Sequence, residues 1–255
     1  MAKNWKDAQI HEQTFWKNIY INSTNDDIYN KTNALGWYNF AKHILDRNKI
    51  KLDELNNKTI LDLGCGPGGV AKGLHEMLIK KDIIKSKIIA VDPLMDFYKN
   101  EINLLKEDEN LKLLTNKGES LNLKDNSIDI IFSTNVLDHC DDAEKVISEC
   151  YRVLKPNGIF FPSLHLVYDY LTIVSPFIKY FDTNHPHHFT RNSILKKFYI
   201  KFYEVDEVER YTIKNDQNNF TFFNIFKSKD LFRGFKRYIS NFVLYTCYFK
   251  CVKKK

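Results

Sequence analysis

Thr59–Gly69 reads T-I-L-D-L-G-C-G-P-G-G. Ile60, Leu61 and Leu63 suit a buried strand, and Asp62 interrupts it near its carboxyl end. Gly64, Gly66, Gly68 and Gly69 then crowd into six positions. From Val70 the period changes: Val70, Ala71, Leu74, Met77 and Leu78 share one face of a helix. The pattern is strand, glycine loop, helix. Glycines reach positive φ and carry no Cβ, so a ligand can lie against bare backbone. The spacing is G-x-G-x-G, which differs from the G-x-G-x-x-G dinucleotide fingerprint. A second acid, Asp92, ends the next apolar run, Ile88–Val91. An acid at the tip of a second strand can take both ribose hydroxyls of a nucleoside.

Outward from this stretch, strand and helix alternate. Strands are expected at Thr59–Leu63, Lys87–Val91, Leu111–Leu114, Ile128–Ser133 and Ile159–Leu164. Helices are expected from Val70 through Lys80, after strand two to about Lys106, and from Asp141 to the Pro156-Asn157-Gly158 turn. In that third helix Glu144 is placed for a capping-box-like arrangement. Such alternation implies an α/β fold with parallel strands and helices on both faces. Residues 1–50 read as a helical cap, with Phe15, Trp16, Ile19 and Tyr20 on one face. Ala34, Leu35, Tyr38, Ala41, Ile44 and Leu45 form another. Tyr29, Trp37 and Tyr38 read as packing residues with ligand within reach. Leu164–Phe189 departs from the pattern as an aromatic insertion. A helix is expected over Thr190–Phe198, and late strands over about Lys201–Val208 and Asn219–Phe226. Residues 228–255 read as a basic amphipathic helix and tail. That tail admits two readings: an interfacial helix on an anionic membrane, or a docking or homodimer helix with solvated lysines.

The bulk numbers bound the rest. A length of 255 residues and 44% hydrophobic content suit one α/β domain spanning 1–255, with its core at 57–227. Tyr and Phe are frequent, at 14 and 19 copies, and the net charge of +6 gives a weak preference for anions. Five cysteines form no C-x-x-C pair, which argues against a zinc site and for a reducing compartment. The start has no apolar signal-peptide core, and Asp169, Pro176 and Lys179 break the longest apolar stretch. A cytoplasmic protein is expected.

With these residues in place, the chain resembles the class I S-adenosylmethionine-dependent methyltransferases, whose first motif is close to L-D-L-G-C-G-x-G and stands here at Leu61–Gly68. The resemblance is tight over Asn57–Phe161 and looser to Phe226. It implies a Rossmann-like, seven-stranded, mostly parallel sheet with an N-terminal helical cover, an insertion after strand five and a final antiparallel pair. It implies S-adenosyl-L-methionine as cofactor. The residues it places around that cofactor are Asp62, Gly64, Cys65, Gly66, Gly68, Asp92, Pro93, Glu119, Ser120 and Asn135. Lys117–Leu121 resembles the family's G-D-A-x-x-L segment, in which an acid accepts from the adenine amino group. Here Glu119 replaces the usual aspartate, and either its side chain or the Glu119–Ser120 backbone makes that contact.

Methyl transfer to a hydroxyl or an amine needs in-line geometry and a base near neutral pKa. His139 after strand four, His165 after strand five and His188 in N-H-P-H-H-F-T are the candidates. Each also has a structural reading: a family histidine without catalytic role, a buried strand-end histidine, and a capping segment before a helix. The H-P-H-H cluster could hold a metal through imidazoles, but no metal site is expected. The first expectation is transfer to a hydroxyl of a small polar acceptor. The histidine-rich stretch resembles glycan-modifying members, so a sugar-derived intermediate of surface polysaccharide synthesis leads, with a small amine as alternative. A nucleic-acid methyltransferase would favour Asn/Asp-Pro-Pro-aromatic where Ser133-Thr134-Asn135-Val136 stands, and it would show a basic groove. A nicotinamide dehydrogenase and a non-catalytic nucleoside sensor complete the field.

Overall fold

The computed structural model describes residues 5–20, 34–83, 85–171, 187–212 and 243–254. Seven strands form one sheet in the order β3-β2-β1-β4-β5-β7-β6. They are β1 Thr59–Leu63, β2 Lys87–Asp92, β3 Leu111–Thr115, β4 Ile128–Thr134, β5 Leu154–Val167, β6 Glu204–Thr212 and β7 Leu244–Val252. The pairs β1–β2, β1–β4, β2–β3 and β4–β5 are parallel, and β7 runs antiparallel to both β5 and β6. The order reverses between β1 and β4, where such sheets open a crevice beyond the strand ends.

Both faces of the sheet are covered. On one, α2 (Ala34–Arg47) and α3 (Gly69–Lys80) bury Ala41, Ile44, Leu45, Val70, Leu74 and Met77 against Ile60, Ile88, Ala90 and Phe132. On the other, α4 (Ala143–Val153) and α5 (Arg191–Lys201) bury Val146, Ile147, Cys150, Ile194 and Phe198 against Leu61, Ile131, Phe160 and Phe249. Strands covered twice must be apolar on successive residues, which explains the short continuous runs in β1, β2 and β4. The cap helix α1 (Trp5–Tyr20) lies apart from these two layers and packs on the short turn of helix after β2.

Four expectations need correction. The helix after β2 amounts to Met95–Phe97 and one wide turn, Tyr98–Ile102; Asn103 at φ 54° ends it well before Lys106. Glu144 makes no capping box. Asp142 caps α4, its Oδ1 accepting the amides of Glu144 and Lys145, and the Glu144 side chain pairs with Lys197 instead. β5 begins at Leu154, directly after α4, with Asn157 taking the left-handed turn. Most importantly, 244–252 is no tail but the strand inserted between β5 and β6, with Tyr245 through Phe249 all buried. Alternating apolar and aromatic side chains in L-Y-T-C-Y-F-K-C-V fit a sheet interior better than water. Lys253 is likewise engaged, donating to the carbonyls of Tyr151 and Leu154. The expected strand Asn219–Phe226, the helical stripe Leu231–Phe242, Tyr29 and His185 lie outside the described residues. None of the described helices is long and apolar enough to cross a membrane. Thr190 does cap α5, as H-H-F-T suggested, accepting from the Ser193 amide at 3.3 Å.

Candidate functional site

A cavity of about 380 Å³ opens beyond the carboxyl ends of β1, β2 and β4. That falls in the range of about 300–1,000 Å³ usual for small-molecule sites. Its floor is the loop after β1 with Asp62, Gly64, Cys65 and Gly66. Asp92 and Pro93 line it at the end of β2, Asn116, Lys117 and Glu119 after β3, and Asn135 and His139 after β4. The roof comes from the cap: Trp5, Gln9, Glu12 and Trp16 of α1, with Trp37 and Phe40 of α2. Positions 5, 9, 12 and 16 lie on one helical stripe. Reading stripes by apolarity missed Trp5, Gln9 and Glu12, because two of the four are polar. The helical spacing of W5-Q9-E12-W16 is the signal that would have found them.

Three of the loop amides are spent inside the protein. Gly64 and Cys65 donate to the Val91 carbonyl at 2.7 and 3.2 Å, and Gly66 donates to Asp92 Oδ2 at 3.0 Å. Asp92 Oδ1 accepts the Leu94 amide at 2.8 Å. Asp62 accepts the Ala71 amide at 2.7 Å and so caps α3. A phosphate needs free amides, and this loop has already spent three of its own. It offers oxygen instead, and the cavity gathers four acids, Glu12, Asp62, Asp92 and Glu119, against Lys117 alone among its lysines and arginines. The Lys117 ammonium sits 3.5 Å over the Trp5 ring. Burial pushes the Asp62 carboxyl up to about 7, against its helix amides and with help from the charge of Asp92. Burial raises Asp92 to about 6, against its two amides, and the charge of Glu12 adds to it. Burial with Asp92 and Asp62 beside it keeps the Cys65 thiol protonated. A cation is the complementary guest.

The expected cofactor residues separate into two groups. Asp62, Gly64, Cys65, Gly66, Asp92, Pro93, Glu119 and Asn135 all line the cavity; Gly68 and Ser120 do not. Gly68 is buried because its bare Cα accommodates the indole of Trp37, whose Cε2 stands 2.8 Å from where a Cβ would sit. Ser120 is exposed, its amide turned back to the Lys117 carbonyl. Glu119 lines the cavity, but its Oε1 accepts the amides of Asp141 and Asp142 at 2.7 and 3.2 Å. One carboxylate oxygen thus holds the start of α4, a partner 22 residues away that local spacing could not reveal.

Of the three histidines, His139 alone lines the cavity. Its turn is fixed by its own amide on the Val136 carbonyl and by His187, whose Nε2 lies 3.1 Å from the Cys140 carbonyl. His165 stands behind the wall. Its Nε2 accepts from Asn135 Nδ2 at 3.3 Å, so Nδ1 carries the proton toward Thr246 Oγ1 at 2.9 Å. His188 lies on the segment before α5, away from the cavity lining. Among the described residues no group of three or more His, Cys, Asp or Glu is placed to hold a metal.

Three polar atoms in this cavity wall are buried without a protein partner: Gln9 Oε1, Trp37 Nε1 and Asn135 Oδ1. Buried polar atoms need partners, and a guest with both donors and acceptors supplies them. S-adenosylmethionine fits on each count: a nucleoside diol for Asp92, a net positive charge for the acids, and polar groups for the orphaned atoms.

Comparison with known proteins points the same way. Residues 61–161 match the family model described as "Methyltransferase domain". The chain is 28% identical over 147 residues to a ubiquinone biosynthesis O-methyltransferase of Coxiella burnetii, across 52% of this chain and 58% of that protein. It is 32% identical over 110 residues to a thiol S-methyltransferase of Rattus norvegicus, across 42% of each. The chain thus spans about half the length of the curated relatives it matches. In fold it resembles a putative sarcosine dimethylglycine methyltransferase from Galdieria sulphuraria, with a TM-score of 0.62 and 16% identity over 96% of this chain and 98% of that one.

Proposed function

The chain belongs to the class I S-adenosylmethionine-dependent methyltransferases, and from that premise we propose that it methylates a hydroxyl of a small polar acceptor, with sugar-derived hydroxyls as the leading class. One observation carries this reading: His139 shares a cavity with Asp92 and the acid-lined loop. When bound, S-adenosylmethionine supplies a methyl group already activated on sulfur. The chain's own work is to hold, exclude water and take a proton. Asp92 would hold the ribose diol, and the Asn116–Glu119 side would face the base. Asp62 and the loop carbonyls favour the positive end electrostatically. The cap roof of Trp5, Trp16, Trp37 and Phe40 shuts out water. His139 would take the proton from the acceptor as oxygen attacks.

The chain should be incubated with methyl-labelled S-adenosylmethionine and separate panels of nucleotide sugars, free sugars, phenols, phospho-amines and RNA, and the products weighed. A mass gain of one methyl on a hydroxyl compound supports the reading. Gain only on amines replaces oxygen by nitrogen as the nucleophile. Tight donor binding with no acceptor modified in any panel supports a sensor instead.

A further inference from the structure

Four amides around the loop are already committed. Gly64, Cys65 and Gly66 donate within the protein, and the Ala71 amide at the start of α3 goes to Asp62. Asn135 Nδ2 is held by His165. The four acids of the cavity repel a carboxylate. Yet the donor carries one, on its amino-acid tail, and an anion brought into an acidic pocket without a hydrogen-bond donor would oppose binding.

The cavity wall holds one buried indole donor without a protein partner. Trp37 Nε1 is buried, has no protein partner and lies on a residue that lines the cavity. The other two indoles are placed differently. Trp16 Nε1 donates to Glu12 Oε1 at 2.6 Å, and Trp5 lies under the Lys117 ammonium. With Asp92 and Asn116–Glu119 marking the nucleoside end on the β2–β3 side, the tail points toward β1 and the start of α3. That is where Trp37 packs on the bare Cα of Gly68, its Cε2 adjacent to the orphaned nitrogen. The same contact holds the indole in place before any ligand arrives.

We infer that the Trp37 indole N–H anchors the carboxylate of the donor's amino-acid tail, while the surrounding acids and loop carbonyls take its ammonium and sulfonium. The assignment rests on the methyltransferase reading. It makes the cap helix α2 part of the donor site through one directed hydrogen bond, beyond its role as a cover.

The test pairs a protein change with a ligand change. Trp37→Phe removes the N–H and keeps a ring against Gly68. Calorimetry should be run on wild type and variant with S-adenosylmethionine and with its decarboxylated form, which lacks only the carboxylate. The variant is expected to lose about tenfold in affinity for S-adenosylmethionine and little for the decarboxylated form, the size and pattern of one hydrogen bond to a charged partner. Equal losses on both ligands, or no loss on either, overturn the anchor alone. A wild-type protein that binds neither ligand overturns the anchor together with the donor reading beneath it. The wild-type protein gives a second readout that does not depend on the variant folding. In a proton–nitrogen spectrum, the Trp37 indole resonance should shift with S-adenosylmethionine and much less with the decarboxylated form; equal shifts count against the anchor.

Discussion

Asp92 and Gly66 tie the glycine loop to the end of β2: the carboxylate Oδ2 of Asp92 accepts the Gly66 amide at 3.0 Å, while its Oδ1 accepts from Leu94 at 2.8 Å. One side chain therefore shapes the loop and lines the cavity. Asp92→Ala strands two amides as well as removing the acid. Charge-assisted hydrogen bonds are worth ~1.5–3 kcal/mol each, so calorimetric titration with S-adenosylhomocysteine should show a loss of more than tenfold. Unchanged affinity would remove Asp92 from the donor site.

The raised carboxyls of Asp62 and Asp92 predict how stability follows pH. Their ordinary value is 3.8, and in the fold they stand at about 7 and about 6. Between those limits the folded chain holds protons that the unfolded chain has released, so stability falls as pH climbs through the window. The acids held low, such as Asp108 and Glu149, act in the opposite sense and matter only as pH drops toward their unfolded values. Ligand-free protein should melt at a lower temperature at pH 7.5 than at pH 5.5, and Asp62→Asn should flatten the slope. A cationic donor favours the ionised acids, so S-adenosylmethionine should bind more tightly as pH rises over the same range. A melting temperature that rises from pH 5.5 to 7.5 contradicts the buried pair.

Much of this site was legible before the structure, and the reasons differ by residue. Ile60, Leu61, Ile88, Ile130 and Ile131 announce doubly covered strands because short, β-branched apolar runs bounded by turn residues suit a strand buried on both faces. Asp62 and Asp92 were legible because a strand end followed by glycine or proline leaves an acid nowhere to go but the crevice. Gly68 was misread because a missing Cβ serves a neighbouring side chain as well as it serves a ligand, and only packing shows that Trp37 takes the space. β7 was missed because three lysines at the chain end and the helical spacing before it outweighed the alternation of Tyr245, Cys247 and Phe249. Its partners β5 and β6 are distant in sequence, so local pattern carried no trace of the pairing.

Gly73 predicts how tightly the cap is seated. A Cβ there would stand 2.1 Å from the Trp37 carbonyl oxygen and 2.6 Å from the Ala41 Cβ. Backbone cannot yield as a side-chain tip does, so Gly73→Ala must push α2 away from α3. Overpacking of this kind costs ~1–3 kcal/mol, and here it also displaces Trp37 and Phe40 from the cavity. Thermal unfolding should show the loss, and affinity for S-adenosylhomocysteine should fall with it. Lys72→Ala, one position away and outside this contact, should leave both nearly unchanged. A Gly73→Ala protein as stable as wild type would mean that α2 is not held against α3 in this way.

All three tryptophans of the chain, Trp5, Trp16 and Trp37, line the cavity. Intrinsic fluorescence is therefore a report on this one place. Filling the cavity exchanges water for adenine near Trp5 and alters the field around Trp16 and Trp37, so saturating S-adenosylhomocysteine should change the intensity or the emission maximum. Trp5→Phe should remove the part of the signal that depends on the base, leaving a response to 5′-methylthioadenosine smaller than the wild-type one. A spectrum indifferent to a ligand that calorimetry shows to bind would place the ligand elsewhere.

His139 and His165 predict opposite behaviour. His139 lines the cavity, whereas His165 stands behind it on Asn135, with Thr246 on its other nitrogen. A general base contributes ~10²–10⁴-fold. His139→Ala should therefore cut transfer to the identified acceptor by that order and leave donor binding within a fewfold of wild type. His165→Gln keeps a side-chain amide for Asn135 and Thr246, so it should retain most activity. His165→Leu leaves the Asn135 amide without its partner and should raise KM more than it lowers kcat. If His165→Gln abolished transfer while His139→Ala spared it, the proton would be leaving through the wall behind Asn135, and the roles assigned to the two histidines would have to be exchanged.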